Sequence, residues 1–122
     1  MDNKKILIVD NDNDVCQMLD FVLKDKGYEV AVALSGVEAL EKMKDFNPDL
    51  IVLDIIMPEM DGFEVCEKIR ENDKKIKILM LTAKSGKEDR KKGLIIGADL
   101  YTEKPFIVND LMSKIEGLLK NN

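Results

Sequence analysis

The 122-residue chain is one domain's worth of sequence, with 45% hydrophobic residues for a core and 35% charged residues for a solvated surface. Its 19 basic and 24 acidic residues leave a net charge of -5, which argues against a sequence-independent nucleic-acid binder with a basic face. It has no histidine, which excludes a Ser-His-Asp triad, a histidine-ligated zinc and a histidine proton shuttle, and no tryptophan, which disfavours an aromatic stacking platform.

Short apolar runs alternate with longer amphipathic stretches. Ile6 to Val9 predicts a first strand; this run is too short for a signal-peptide core. Val15, Met18, Leu19, Val22 and Leu23 then recur at helical spacing, with Asp12, Asn13 or Asp14 as the cap and Gly27 as the stop. Glu29 to Ala33 alternates as a second strand. Ser35-Gly36-Val37-Glu38 reads as a capping box, and Val37, Leu40 and Met43 form the stripe of the helix it opens, which Asn47-Pro48-Asp49 ends.

Leu50 to Leu53 is apolar throughout, as expected of a strand buried on both faces of a parallel sheet. Asp61-Gly62-Phe63-Glu64 opens a third helix carrying Phe63, Cys66 and Ile69 on one side. Ile76 to Leu81 predicts a fourth strand, and Ser85-Gly86-Lys87-Glu88 reads as another capping box. The helix that follows is polar through Lys92, apolar only at Leu94 to Ile96, and weakened by Gly93 and Gly97. Leu100 to Glu103 is a short fifth strand. Ile107, Leu111, Ile115, Leu118 and Leu119 mark a last amphipathic helix. Cys16 and Cys66 form no CxxC unit and read as small buried hydrophobes in a reducing compartment. No run approaches the length of a membrane span, so a soluble cytoplasmic domain is expected over 1–122.

Five strand-helix units in strict alternation predict an α/β fold, a doubly wound five-stranded parallel sheet with helices on both faces. Ligands in such sheets bind beyond the carboxyl ends of the strands. Those ends carry Asp10, Asp54, Thr82 and Lys104. Asp54 interrupts the most apolar stretch of the chain, where a carboxylate is costly unless paired. A single such residue is most simply a buried Asp satisfied by a cap or by Lys104. Four convergent ones support phosphoryl transfer onto a carboxylate. Asp54 is then the nucleophile, Lys104 and Thr82 hold phosphoryl oxygens, and a divalent cation offsets the repulsion between anions.

Ile6-Leu7-Ile8-Val9-Asp10, Leu53-Asp54-Ile55-Ile56-Met57-Pro58-Glu59-Met60-Asp61-Gly62, Leu81-Thr82-Ala83 and Lys104-Pro105-Phe106 together resemble the CheY-like receiver domain of two-component response regulators. The resemblance covers nearly the whole chain, with four motifs in order. It implies the flavodoxin-like strand order 2-1-3-4-5 and a phosphorylatable signalling switch rather than an enzyme. Asp54 is the implied phosphoacceptor, and Asp10, Asn11, Asp54 and the Ile56 backbone carbonyl hold Mg²⁺ or Mn²⁺. Thr82 and Lys104 sense the phosphoryl group, Tyr101 is the switch aromatic, and the Lys104-Pro105 bond is cis. The implied donor is a sensor histidine kinase or a histidine phosphotransfer protein. The output surface is the fourth helix, fifth strand and fifth helix, on a monomer or a phosphorylation-dependent dimer, with no direct contact to nucleic acid or membrane.

Asn11 departs from the family, which has a metal-binding Asp there. One formal charge about 5 Å from a divalent ion, at an effective dielectric of about 20, represents several kcal/mol before solvent compensates, so weaker Mg²⁺ binding is expected. Asp12 either compensates beside the site or caps the first helix. Two other functions stay open on the residues. One is a haloacid-dehalogenase-like phosphatase using Asp10 and Asp12, which leaves Asp54 unexplained. The other is a receiver-shaped binding module that is never phosphorylated. The sequence ends at Asn122, after the last predicted helix, and leaves a stand-alone receiver, a relay intermediate and a fragment of a longer regulator equally open.

Overall fold

A computed structural model describes residues 3–120 of the chain; the outermost residues of the single-domain expectation, 1–2 and 121–122, lie outside the described residues. The apolar runs become five strands: β1 (Lys5–Val9), β2 (Glu29–Ala33), β3 (Leu50–Leu53), β4 (Lys77–Thr82) and β5 (Leu100–Glu103). All pair in parallel, in the order β2-β1-β3-β4-β5. Five helices connect or follow them: α1 (Asn13–Asp25), α2 (Gly36–Phe46), α3 (Gly62–Asn72), α4 (Lys87–Ile96) and α5 (Val108–Lys120).

The two-residue period of a strand sends alternate side chains to opposite faces. Leu7, Val9, Ile51, Leu53, Ile78 and Met80 face one side, where they pack on Ala39 of α2 and on Val65, Cys66 and Ile69 of α3. Ile6, Ile8, Leu50, Val52, Leu79 and Leu81 face the other, against Leu19 and Leu23 of α1 and Leu111 and Ile115 of α5. A fully buried Leu or Ile contributes roughly 1.5–3 kcal/mol. The three inner strands therefore supply much of the driving force and hold the sheet's edge in register.

Local chemistry sets the helix starts. Asp12 is the α1 cap, its Oδ1 accepting from the amides of Asp14 at 3.0 Å and Val15 at 3.4 Å. Ser35 caps α2 by accepting from the Glu38 amide, and Glu38 reaches back to the Leu34 amide, one residue before the cap. Asp61 caps α3 through the Glu64 amide. The capping box expected at Ser85 does not form. Gly86, at φ 118°, is the N-cap of α4 and leaves Ser85 outside the helix, so this helix starts with no side-chain cap. Val37 and Ile107, expected in apolar stripes, are 54% and 67% exposed. Val37 lies in the first turn of α2 and Ile107 just before α5, so both sit at a helix start rather than on the packed stretch of the stripe. Among the described residues no helix is long and apolar enough to cross a membrane.

Two glycines show how differently the same residue is used. A Cβ on Gly62 would meet the Asp54 carbonyl oxygen at 2.3 Å and the Ile55 Cα at 2.7 Å, whereas one on Gly117 would meet nothing within 4 Å. Gly62→Ala is expected to destabilise the fold by about 1–3 kcal/mol, because backbone must move. Gly117→Ala, inside α5, is expected to stabilise it by up to about 1 kcal/mol. Urea denaturation of the two variants should shift the midpoint in opposite directions.

Candidate functional site

Strand pairing assembles the site. β1 and β3 are neighbours and pair Val9 with Leu53, so the residues that follow, Asp10 and Asp54, leave the sheet side by side. The Asp54 amide donates to the Val9 carbonyl at 2.9 Å and fixes that exit. At the far side β4 pairs Thr82 with Glu103, and the Lys104 amide donates to the Thr82 carbonyl at 2.8 Å. From there the Lys104 ammonium reaches back across the strand ends. It donates to Asp10 Oδ2 at 2.7 Å and to Asp54 Oδ2 at 3.2 Å. The Lys104-Pro105 peptide is cis.

The other carboxylate oxygens are held by the chain just downstream. Asp10 Oδ1 accepts from the Asp12 amide at 2.9 Å, and Asp54 Oδ1 accepts from the Ile56 amide at 3.1 Å. Asp10 and Asp54 retain only 3% and 5% exposure. Burial raises the Asp10 carboxyl above its ordinary value; hydrogen bonds from Lys104 and the Asp12 amide oppose that rise, and the Asp54 charge adds to it. Lys104 loses hydration too. The Asp10 hydrogen bond and both carboxylate charges outweigh that loss and hold its ammonium above the usual lysine value. Two carboxylates thus share one cation, which leaves the pocket with a formal charge of one minus.

Thr82 is fully buried at the end of β4. Its hydroxyl oxygen accepts from the Lys84 amide at 3.2 Å and so ties the threonine to the loop after β4. Tyr101 is buried as well, its hydroxyl donating to the Lys84 carbonyl at 2.7 Å. Asn11 is exposed next to Asp10, and Ile56 is exposed beyond Asp54. Asp12 caps α1 through Oδ1, the second of the two roles its sequence offered. Cys16, which no sequence motif ties to this site, lies next to Asp10 with its thiol donating to the Asp10 carbonyl. Burial pushes that thiol up to about 11, and Cys66 likewise, so both are free and unreactive.

The donor set suits a small, hard divalent cation. It comprises two nearly buried carboxylates under-neutralised by a single ammonium, with amide and carbonyl oxygens on the adjoining residues. Among the described residues no third carboxylate joins them. Such a site is left incomplete by the protein and suits a metal that keeps water or phosphate oxygens in its coordination sphere.

Two residues of structural weight escaped the sequence. Arg70 donates to the carbonyls of Asp73, Ile76 and Gly97 and to Asp99. Arg90 donates to the Tyr101 carbonyl and to Glu103, with its guanidinium 5.3 Å from the Tyr101 ring centre. Most of these partners lie 11 to 29 positions away, beyond any local pattern.

Residues 6–116 match the family model of the response regulator receiver domain. The chain is 42% identical over 120 residues to the alkaline phosphatase synthesis transcriptional regulatory protein PhoP of Bacillus subtilis, covering 98% of this chain and 50% of that protein. It is 41% identical over 116 residues to the transcriptional regulatory protein PrrA of Mycobacterium tuberculosis, covering 95% and 50%. The chain thus spans about half the length of the curated relatives it matches. Among solved structures, a two-component response regulator from Clostridium difficile superposes with a TM-score of 0.94 at 34% identity, covering 98% of each chain. The BeF3-activated receiver domain of DrrB superposes at 0.90 with 29% identity, covering 98% of this chain and all of that one.

The raised Asp10 pKa has a definite sign. Between the ordinary value of 3.8 and its higher folded value the native state binds more protons than the unfolded chain, so stability falls as pH rises through that window. Above it the buried charge weighs on the fold. With a chelator present, Asp10→Asn is therefore expected to raise the urea midpoint at neutral pH. The gain should vanish in acid below the ordinary carboxylate pKa. A neutral-pH midpoint equal to or below that of the wild type would contradict this assignment.

Proposed function

Because the chain belongs to the response regulator receiver domain family, we propose that Asp54 is its phosphoacceptor. The carrying observation is the Lys104 ammonium bonded to both Asp10 and Asp54 at the sheet's carboxyl edge. In the proposed reaction an Asp54 carboxylate oxygen forms a bond to phosphorus as the donor's P–N bond breaks, and the donor imidazole leaves with the electron pair. These 122 residues contain no histidine, so the phosphohistidine lies outside them, and the proposed donor is a sensor histidine kinase or a histidine phosphotransfer protein. The Ile56 amide restrains one Asp54 oxygen, which limits the rotations open to the other. Lys104, paired with Asp10 at rest, lies within reach of Asp54 to offset the charge that arrives with the phosphoryl group.

Asp10, Asp54, the Asn11 amide oxygen and the Ile56 carbonyl are the residues proposed to hold Mg²⁺ or Mn²⁺. When bound, the cation supplies positive charge that lets one anion approach another. The output proposed is a change in the α4, β5 and α5 face. Thr82 is tied to Lys84, and Lys84 to Tyr101, so a pull on the Thr82 hydroxyl reaches this face in two steps. The domain is proposed to act in the cytoplasm as a switch rather than as an enzyme acting on other substrates.

Incubation with a small acyl phosphate and Mg²⁺ is expected to label the wild type up to one phosphoryl group per chain. Asp54→Asn should reduce labelling to background. Persistent turnover of a phosphate ester by that variant would instead favour the phosphatase reading. Calorimetric titration with Mg²⁺ should show tighter binding to Asn11→Asp than to the wild type, since a formal charge is restored beside the pocket; equal affinities would remove Asn11 from the metal site.

A further inference from the structure

We propose that Cys16 is a positioning residue for the metal pocket, its thiol fixing the plane of the Asp10–Asn11 peptide and with it the direction in which both side chains are presented. The inference rests on the metal reading above. It adds a residue that touches neither the cation nor the phosphoryl group.

The two cysteines look interchangeable in the sequence, and both are buried and free. Their surroundings separate them. Cys66 belongs to α3 and to the apolar cluster on that side of the sheet, and its thiol makes no hydrogen bond among the described residues. Cys16 lies on the opposite face, where Cys16, Leu19 and Leu23 form the buried ridge of α1. Its thiol donates to the Asp10 carbonyl at 3.2 Å, and the bond is buried. Burial pushes this thiol up to about 11, so it keeps the proton it donates throughout the neutral range.

Each polar atom of Asp10 is held from a different direction. Its amide donates to the carbonyl of Ala33, the last residue of β2, at 3.1 Å. Its Oδ1 accepts from the Asp12 amide and its Oδ2 from Lys104. The carbonyl remains, and among the described residues the Cys16 thiol is its only donor. A buried carbonyl is costly to leave unpaired. The peptide unit is planar, so fixing this carbonyl also fixes the Asn11 amide and the Asn11 Cα that lie in the same plane. Asn11 is exposed, and its side chain makes no hydrogen bond among the described residues, so its direction follows from that plane.

Cys16 can serve as an anchor because it is itself held twice. Its amide donates to the Asp12 carbonyl at 3.1 Å and closes the first turn of α1. Its side chain is 1% exposed, within the cluster that α1 shares with Ile6 and Ile8 of β1. The thiol therefore carries the seat of α1 on the sheet to the end of β1, where the pocket begins. Valine fills nearly the same space and donates nothing, so Cys16→Val removes the bond while keeping the packing. Cys66→Val makes the same chemical change where there is no bond to lose.

Calorimetric titration with Mg²⁺ compares the two substitutions. Cys16→Val is expected to bind Mg²⁺ about threefold or more weakly than the wild type, and Cys66→Val to stay within about 1.5-fold of it. With a chelator present, the Asn11 amide resonance should move in Cys16→Val and hold its place in Cys66→Val. Wild-type Mg²⁺ affinity in a folded Cys16→Val would overturn the assignment. A measurement that needs no Cys16 variant runs in the other direction, because a coupling between the thiol bond and the metal is reciprocal. The infrared S–H stretching band of Cys16, identified as the one that persists in Cys66→Val, should shift when Mg²⁺ is added, while the Cys66 band stays. A Cys16 band that ignores bound Mg²⁺ would equally overturn the proposal. If the wild type binds no Mg²⁺ at all, the metal reading itself has failed and the role of Cys16 falls with it.

Discussion

One ammonium shared by two buried carboxylates is the constraint on which the site depends. Lys104 cannot satisfy both acids fully, and its contacts are unequal, at 2.7 Å to Asp10 and 3.2 Å to Asp54. Removing either partner of a buried pair ordinarily leaves an uncompensated charge at a cost of about 3–5 kcal/mol. Here the pocket begins under-compensated, so the stability argument and the chemical argument point in opposite directions. A neutral pocket would fold better. A pocket left with one surplus negative charge suits a divalent cation, which in the proposed reaction would offset the repulsion between an anionic phosphoryl group and an anionic nucleophile.

The fold makes this arrangement possible by separating tasks along each strand. The inner residues of β1, β3 and β4 are apolar on both faces and fix the register, so the first polar residue after each strand projects from a rigid edge. The acidic residues at that edge are not all equivalent. Asp12 and Asp61 are spent on the amides at the starts of α1 and α3, which leaves Asp10 and Asp54 as the pair that faces Lys104. Edge strand β2 is managed by a different device, with the Lys42 ammonium on the Val32 carbonyl. A charged side chain there discourages pairing with another chain.

What could be read from the sequence follows from the range of the forces involved. Strand order aside, the five units were legible because periodicity is local: Leu50 to Leu53 pointed to a strand buried on both sides, and Asp54 after it to a carboxylate that is costly unless paired. Ser35 and Asp61 were legible as caps because the amides that donate to them lie three residues ahead. Among Asp12, Asn13 and Asp14 the sequence offered three caps, and Asp12 is the one whose side chain accepts from the first amides of α1. Ser85 misled because its spacing to Glu88 is right, while the backbone at Gly86 takes a positive φ that spacing does not reveal. Arg70 and Arg90 were invisible for a simpler reason. An arginine in a surface helix looks the same whether it faces solvent or reaches a carbonyl 27 residues away.

Gly93 carries that point further. By propensity alone it is a defect, costing an exposed helix roughly 0.8–1.0 kcal/mol against alanine, in a helix already short of apolar residues. The structure gives the defect a use, because Tyr101 and Met80 occupy the space a side chain would need. A helix that packs through its backbone can approach closely without interlocking side chains, and an interface with few interlocked side chains resists sliding or tilting only weakly. The low intrinsic stability of α4 and its close contact with Tyr101 therefore have one cause. The same glycine that lets the helix sit on the aromatic also leaves its position to be decided by polar contacts at its two ends. Those contacts differ in strength, since the Arg70 guanidinium is largely shielded from water and the Arg90 guanidinium is not. Solvent screening acts mainly on the second.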